Sequence, residues 1–566
     1  MKFTDAQETL ISVETSAFFQ ACPGAGKTST IVERFRRRPA MANTSKGIAL
    51  ITFTNAAAEH AKSKLVSDPK LLQAPNFVGT IDAFANRFIT RPVFKKKVGK
   101  NPTFIESWSS LQIDEIRVPG RPKISVPLDD FRLDKTAGAT LHPKRNAAGN
   151  LSDLEIQRLC KIAGRKIRHL YRAGYVSSNL SRQVAASQKS FEALGTLLAA
   201  RFEEVIIDEA QDCSEQDLSI LRGLKDAGVR IVAVGDLDQS IYEFRGARPD
   251  KVVEFFRPVM NDSWKLTDNF RSTQAICDFT ATMRVGAVPD RACGQNAKFT
   301  TPVFLASFSE VTEVPAAVRT IADAEGIGSK TLLLAHNGDA PRQALGLALQ
   351  PKTQSKHPVV RVAKHFEVLN NLEASPTERH RALKGCVKLL QDIHAEDNVR
   401  NLDPEDFQAY LGLDDQRLRA ECLKLAIKVG PPVDRDGRRF KDALVGALDE
   451  LGFTFSASRL KKPSDKSWQS AFGDEVPIGN EFEVSNIHQY KGLEQESVAL
   501  IIPKRRGQIQ TVNAWVRRES DEALRVLYVG ASRAERLLMV FVHESLFGPI
   551  SNHLEGLGVR VATPQM

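Results

Sequence analysis

The sequence predicts an α/β fold, with mostly parallel sheets covered by helices. Three observations predict it. The apolar run Ala17-Phe18-Phe19 leads into the glycine-containing stretch Ala21-Cys22-Pro23-Gly24-Ala25-Gly26-Lys27-Thr28, and then into Ser29 to Phe35 with helical spacing of apolar residues. The order strand, then helix start, recurs at 48–61 and at 77–84. Apolar runs at 203–207 and 230–235 end in dense polar turns.

Strand, glycine loop and helix in that order make a phosphate cradle. Glycines let backbone N–H groups turn inward at a helix N-terminus, where they form an anion nest. Lys27 would reach the β- and γ-phosphates of a nucleotide, and the Thr28 hydroxyl would hold Mg2+. The first position of the usual pattern is Ala21 rather than glycine, while Gly26-Lys27-Thr28 is intact. Ahead of the loop, Gln7 carries an amide that can donate and accept at once, which suits the edge of adenine.

Composition sets outer bounds. With 566 residues, several domains are expected, and 42% apolar residues allow large cores. A net charge of +10 permits a polyanionic partner. The seven cysteines are dispersed, with no pair at zinc-ribbon or redox spacing. They read as reduced thiols in a cytoplasmic protein. The N-terminus does not read as a signal peptide, and no run is long or apolar enough to span a membrane.

The remaining stretches follow in chain order. Ile48 to Asn55 reads as a buried strand ending in polar residues, and Phe53 suits either the core or a face for a base; that stretch alone favours the core. Gly79-Thr80 opens a helix, where N–H groups and a hydroxyl can hold a nucleic-acid phosphate. Residues 94–100 are strongly basic, and 153–175 read as a helix rich in Lys and Arg, either a solvated face or a phosphate-tracking surface. In Val205-Ile206-Ile207-Asp208-Glu209, Asp208 would bind Mg2+ and Glu209 would polarise the attacking water. Residues 230–247 place Gln239 in a polar turn ahead of Tyr242, Phe244 and Arg245. A γ-phosphate sensor beside stacking aromatics would couple nucleotide state to strand grip.

These motifs, in this order, resemble the superfamily 1A helicases, the UvrD/Rep/PcrA family of 3'-to-5' DNA motors. The resemblance extends to Leu266-Thr267-Asp268-Asn269-Phe270-Arg271-Ser272-Thr273, to Val484 through Glu494, and to Leu527-Tyr528-Val529-Gly530-Ala531-Ser532-Arg533-Ala534. It covers roughly 1–90, 196–340 and 480–545. It implies an α/β protein with two RecA-like P-loop domains, each with an inserted mainly helical subdomain. The expected segments are 1–90 with 196–270 (first motor domain), 91–195 (basic insertion), 271–340 with 480–566 (second motor domain) and 341–479 (shortened helical insertion).

The resemblance also implies roles. Pro23, Gly24, Ala25, Gly26, Lys27, Thr28 and Ser29 would cradle ATP, with Mg2+ on Thr28 and Asp208. Gln7 would read adenine, Phe270 would stack on it and Glu494 would touch the sugar or phosphates. Gln239 would sense the γ-phosphate, and Arg271 and Arg533 would be arginine fingers. Phe53, Asn55, Thr80, Tyr242, Phe244, Arg245 and His488 would line the DNA path. The implied activity is ATP-dependent 3'-to-5' translocation or unwinding on single-stranded and tailed duplex DNA. The alternative is an ATPase subunit that senses for or regulates a partner nuclease, since small helicases of this family serve in anti-phage systems such as Gabija; a repair protein is the other expected partner.

Some positions depart from the family pattern. Phe244 stands where Trp is usual and Phe270 where Tyr is usual. Ser29 stands where a basic residue often follows the loop. Asp82-Ala83 replaces His-Ser, and an aspartate there would repel phosphate. The chain is expected to carry no nuclease or tail domain after the last motif. Within the second insertion, 382–390 and 418–426 read as helices and 461–467 as an exposed linker. His380, His394 and Cys386 lack the spacing of metal ligands.

Overall fold

A computed structural model describes residues 2–42, 45–108, 111, 115–119, 121–133, 138–141, 151–241, 246–347, 357–372, 374, 376–400, 404–432, 436–472 and 481–564. The chain divides into two compact units. One comprises Met1–Val93, Arg182–Ala348 and Val476–Met566; the other comprises Phe94–Ser181 and Leu349–Glu475.

The first unit holds two six-stranded sheets. In the first sheet, β1 (Ala17–Ala21), β2 (Gly47–Thr52), β3 (Phe77–Thr80), β4 (Phe202–Ile207), β5 (Arg230–Gly235) and β6 (Met260–Leu266) run in the order β6-β1-β5-β4-β2-β3. Every pairing is parallel. The central strands are largely apolar because both faces are covered, while the edge strand β6 carries Asn261, Asp262, Ser263 and Lys265. Alternate residues point to opposite sides. Phe18, Ala49, Ile51, Val205, Ile207, Ile231 and Ala233 enter one core, while Phe19, Ile48, Leu50, Ile206, Val232 and Val234 enter the other.

The second sheet repeats this plan. Its strands are β7 (Val303–Phe308), β8 (Thr331–Ala335), β9 (Phe482–Asn486), β10 (Gln495–Ile502), β11 (Ala534–His543) and β12 (Val561–Ala562), in the order β9-β8-β10-β11-β7-β12 and all parallel. Leu332, Leu334, Val498, Leu500, Leu538 and Val540 face one core; Leu333, Ala499, Ile501, Leu537 and Met539 face the other. The expected α/β class is what the structure contains.

Three helices of the first sheet position the site. Helix α1 (Asp5–Ser12) starts with a capping box between Thr4 and Gln7. Helix α2 (Lys27–Ala42) begins directly behind the glycine loop, and α3 (Asn55–Ser63) is capped by the Thr54 hydroxyl. Arg34 of α2 is fully buried and binds Glu204 of β4 through Nε and Nη2, both at 2.7 Å. Its remaining N–H groups donate to the carbonyls of Leu10, Ile11 and Val13. One guanidinium thus ties the end of α1 to the loop helix and to a central strand.

In the second unit, α4 (Asp153–Ala173) lies against short strands that form two-stranded sheets. The expected helices at 382–390 and 418–426 fall within Pro376–Ile393 and Asp415–Val429. The expected linker at 461–467 is only partly one. Lys461 and Lys462 are exposed, but a helix, Asp465–Phe472, begins inside it and buries Trp468 against Phe440 at 5.4 Å between ring centroids. Burial of that indole outweighs the polar local composition. Cys386 and His394 are buried, and no group of His, Cys, Asp and Glu able to hold a metal occurs among the described residues. Among those residues all seven cysteines are free, and no helix is long and apolar enough to cross a membrane.

Candidate nucleotide site

The loop after β1 turns tightly enough to need glycine at two places. Gly24 and Gly26 both have φ of +71°. A Cβ on Gly24 would lie 2.5 Å from Asn269 Oδ1, and one on Gly26 would lie 3.0 Å from Gln7 Nε2. The cradle is therefore closed from both flanks by side chains that a larger residue would displace. Gln7 uses its oxygen to accept from the Thr4 N–H at 2.9 Å and its amide to donate to the Ala25 carbonyl at 3.0 Å. It braces the loop whatever else it touches.

Lys27 is buried at the start of α2, its ammonium 3.5 Å from the Cys22 carbonyl. The Thr28 hydroxyl donates to Asp208 Oδ2 at 3.0 Å. This pairing of a hydroxyl with a strand-end carboxylate is the hard-oxygen donor set that suits Mg2+. Burial, then the neighbouring Glu209 charge, push the Asp208 carboxyl up to about 7. A cation there would draw it back down. Glu209 sits in the left-handed region at φ 54°. Burial opposes its charge, but Lys27, Lys491, Gln211 and Arg533 together hold it below the ordinary carboxylate range. It is the ionised member of the pair at neutral pH.

The second sheet reaches this site with several side chains. Arg533 donates to Gln239 Oε1 at 3.0 Å, and Gln239 donates in turn to Asp236 Oδ2 at 2.8 Å. Tyr528 donates to the same Asp236 oxygen at 3.1 Å. Lys491 donates to both oxygens of Asp212 at 2.8 Å and to the Gln239 carbonyl at 3.0 Å. Arg271 binds Glu494 at 2.7 Å and the Ser532 carbonyl at 3.0 Å. Burial, then the nearby Arg271 charge, pull the Arg533 guanidinium down to about 9. Two crowded guanidiniums are a donor set that a polyanion would relieve.

Phe270 is held against the cradle by its own N–H, which donates to the Gly24 carbonyl at 3.0 Å, and the residue is 37% exposed. Asn269 Oδ1 accepts from the N–H groups of Arg271 and Ser272, which shapes that turn. Thus Gln7, the loop, Asp208, Glu209, Gln239, Phe270, Arg271, Glu494 and Arg533 gather around one cleft.

The residues expected on the DNA path are more dispersed. Phe53 packs against the first-sheet core, Asn55 is exposed at the start of α3, and the Thr80 hydroxyl accepts from the Ala83 N–H at 3.2 Å. His488 is partly exposed beyond β9, its ring 5.6 Å from that of His336. Tyr242, Phe244 and Arg245 lie outside the described residues. Asp82 does not present a bare charge there. Arg182 binds it at 2.6 and 3.0 Å and also lies 3.6 Å from Asp217. Burial works against the Arg182 charge, but Asp217 and Asp82 outweigh it and hold that guanidinium above its ordinary value.

Sequence reasoning gave no role to Lys491, Asp212, Asp236, Tyr528, Lys64 or Arg182. Lys64 donates to Ser29 at 2.7 Å and so brings an ammonium to the position where the loop itself lacks a basic residue. Its signal was out of reach, because the partners are 35 residues apart. Lys491 lies inside the Val484 to Glu494 stretch and Asp212 three residues past Glu209, and their opposite charges are the available clue.

Strand, glycine cradle and cross-sheet arginines together make the arrangement of a P-loop nucleotide site. Residues 3–259 match the family model of the UvrD/REP helicase N-terminal domain. The chain is 25% identical over 281 residues to Gabija protein GajB of Bacillus cereus (strain VD045), covering 49% of this chain and 48% of that protein. It is 26% identical over 271 residues to DNA helicase II of Haemophilus influenzae, covering 45% of this chain and 36% of the relative. It is 24% identical over 287 residues to ATP-dependent DNA helicase PcrA of Bacillus subtilis, covering 48% and 37%. The match therefore spans about half, or less, of the length of these relatives.

Proposed function

We propose that the protein is an ATP-dependent 3'-to-5' DNA translocase and helicase, working in the cytoplasm on single-stranded and tailed duplex DNA. The observation that carries this reading is the link from Arg533 on the second sheet to Gln239 on the first, at 3.0 Å. A charge-stabilising arginine supplied across a cleft acts only when the cleft is closed, so hydrolysis and domain movement are coupled. In this reading 1–90 with 196–270 and 271–340 with 480–566 are the two motor halves, and 91–195 and 341–479 are the insertions.

The work of the chain's own groups follows from their chemistry. The N–H groups of Gly24 to Lys27 and the Lys27 ammonium bind the phosphates. Thr28 and Asp208 hold Mg2+, which when bound supplies charge neutralisation to those phosphates. Glu209, ionised at neutral pH, orients a water and accepts its proton. Gln239 passes the presence of the terminal phosphate to Asp236 and Tyr528. Arg271 and Arg533 neutralise the charge that develops on the transferred group. Phe270 and Gln7 take the base, and Glu494, released from Arg271, takes the sugar. Phe53, Asn55, Thr80, Tyr242, Phe244, Arg245 and His488 hold the strand by stacking and phosphate contacts. Arg182 keeps Asp82 neutralised along that path.

The likeness to GajB favours a second reading, in which the ATPase serves a partner nuclease in anti-phage defence. Strand separation on duplexes with a 3' or a 5' tail, with ATP turnover followed in parallel, tests both. Opening of the 3'-tailed duplex alone is expected. DNA-stimulated turnover without opening would select the second reading, and turnover indifferent to DNA would sink both.

A further inference from the structure

Helix α4 presents a ridge of exposed cations, Arg158, Lys161, Arg165 and Arg172, as an ordinary solvated face does. The helix α5 (Gln188–Arg201) is its opposite. Its inner side, with Ser190, Gly195 and Leu198, is buried. Its Phe191 ring lies so close to the helix Glu215–Asp226 that a Cβ on Gly223 would come within 2.4 Å of it. On the outer side Ala193, Leu197 and Ala200 are exposed, Leu197 to 66%. Positions i, i+4 and i+7 share one face of a helix, so these three form an apolar stripe in water. From Ala193 to Ala200 the helix carries no charged residue.

The stripe ends on a crowded pair of cations. Arg201 follows Leu197 by four residues and so lies on the same side. Its guanidinium is 4.8 Å from the ring centroid of Phe88, in the π-helical turn Ala85–Thr90, and the guanidinium of Arg87 is 5.2 Å from the same centroid. Phe77 and Phe202 meet that ring at near right angles, 5.3 and 5.0 Å between centroids, and fix it. Among the described residues neither arginine forms an ion pair, and Arg201 Nε is buried with no hydrogen-bond partner. Burial, then the Arg87 charge, pull the Arg201 guanidinium below its ordinary value. The end of a helix accounts for one cation. It does not account for two that share a ring without a counter-ion.

We propose that this face is a docking surface for an acidic amphipathic helix of a partner protein. The partner's apolar side lies on Ala193, Leu197 and Ala200, and its carboxylates meet Arg87 and Arg201. Charge complementarity sets the sign, since two unpaired guanidiniums call for carboxylates. The apolar stripe sets the class, because protein partners cover apolar surface around Arg and aromatic anchors, whereas nucleic-acid interfaces are more polar and far more positive. The alanines on either side of Leu197 let a second helix come close. Ala193 to Arg201 spans about 12 Å, so a few turns of partner helix cover the face. Because α5 and the Phe88 ring are already fixed, little ordering opposes docking.

The test uses the full chain and a labelled helical peptide of Leu, Ala and Glu with its leucines on one side. The same peptide with Gln, or with Lys, in place of Glu is the control. Saturable binding of the Glu peptide is expected, at least about tenfold tighter than that of the Gln peptide, with none to the Lys peptide. Leu197→Glu, and separately Arg87→Ala with Arg201→Ala, should each weaken the Glu peptide at least about tenfold. ATP turnover of Leu197→Glu should stay within about twofold, since that exposed side chain lies outside the cleft. If the double variant loses turnover, Leu197→Glu alone decides. Equal binding of the Glu and Gln peptides would overturn the proposal, as would binding indifferent to Leu197→Glu. A thymidine oligonucleotide weakened by the double variant as much as the peptide is would make this a nucleic-acid surface and overturn it too. So would sedimentation showing a dimer that Leu197→Glu dissolves, which would assign the face to a second copy of the chain.

Discussion

The cleft and the α4 ridge use the same residue types in opposite ways. Lys27 and Arg533 are 9% and 2% exposed, and the Lys491 side chain is 8% exposed. Lys491 and Arg533 answer a carboxylate or an amide across the cleft. Along the ridge, Arg158, Lys161, Arg165 and Arg172 are exposed, and among the described residues none is in an ion pair. Desolvated charges need partners in fixed geometry and pay heavily when one is lost. Solvated charges cost little to keep and act at a distance that salt can shorten. The difference teaches that burial, more than charge, separates groups suited to chemistry from groups suited to an open surface.

The comparison breaks most visibly at Lys27. Lys27→Ala should abolish ATP turnover while leaving DNA binding measurable; retained turnover would remove the loop from the mechanism. Arg533→Ala should cut kcat by about 10³-fold or more, the range for an arginine finger, with nucleotide binding little changed. A loss of nucleotide affinity alone would assign Arg533 to binding instead of to the transition state.

Further down in effect, Arg34→Ala should destabilise the first unit by about 3–5 kcal/mol, because Glu204 would keep a fully buried charge. Denaturant unfolding reads this directly, and a change below about 1 kcal/mol would show that water or Arg230 relieves Glu204. Arg182→Ala should bare Asp82 and weaken single-strand binding by about threefold to tenfold, an effect that Asp82→Asn in the same chain should restore. Smallest of all, Arg158→Ala should leave stability within about 0.5 kcal/mol. A larger loss would mean that the ridge is part of the packing after all.

Much of the cleft was legible because its parts lie at strand ends and in short motifs. Gly24 to Thr28, Asp208-Glu209 and Gln239 each announce themselves within a few residues, and the continuous apolar runs behind them mark a sheet buried on both faces. Lys64, Arg182 and Tyr528 did not, since each acts on a residue 35, 100 or 292 positions away. The helix at Asp465–Phe472 was hidden for a related reason: its polar residues say linker, and only the distant Phe440 gives Trp468 a place to be buried. The basic run at 153–175 stood open between solvated face and phosphate surface. Helical geometry gathers four of its cations on one side, while the strands beneath take the apolar residues.

The sequence by itself determined an α/β protein with a glycine loop ahead of a helix, a carboxylate pair at a strand end and a polar turn holding Gln239, because local motif and periodicity dictate those. Only the tertiary structure decided which charges meet. It set Arg533 on Gln239, Lys491 on Asp212 and Arg182 on Asp82, and it left Arg158, Lys161, Arg165 and Arg172 of α4 exposed. Pairing depends on which strand ends and helix faces the packed cores bring within a few ångströms, and that arrangement is a property of the whole chain.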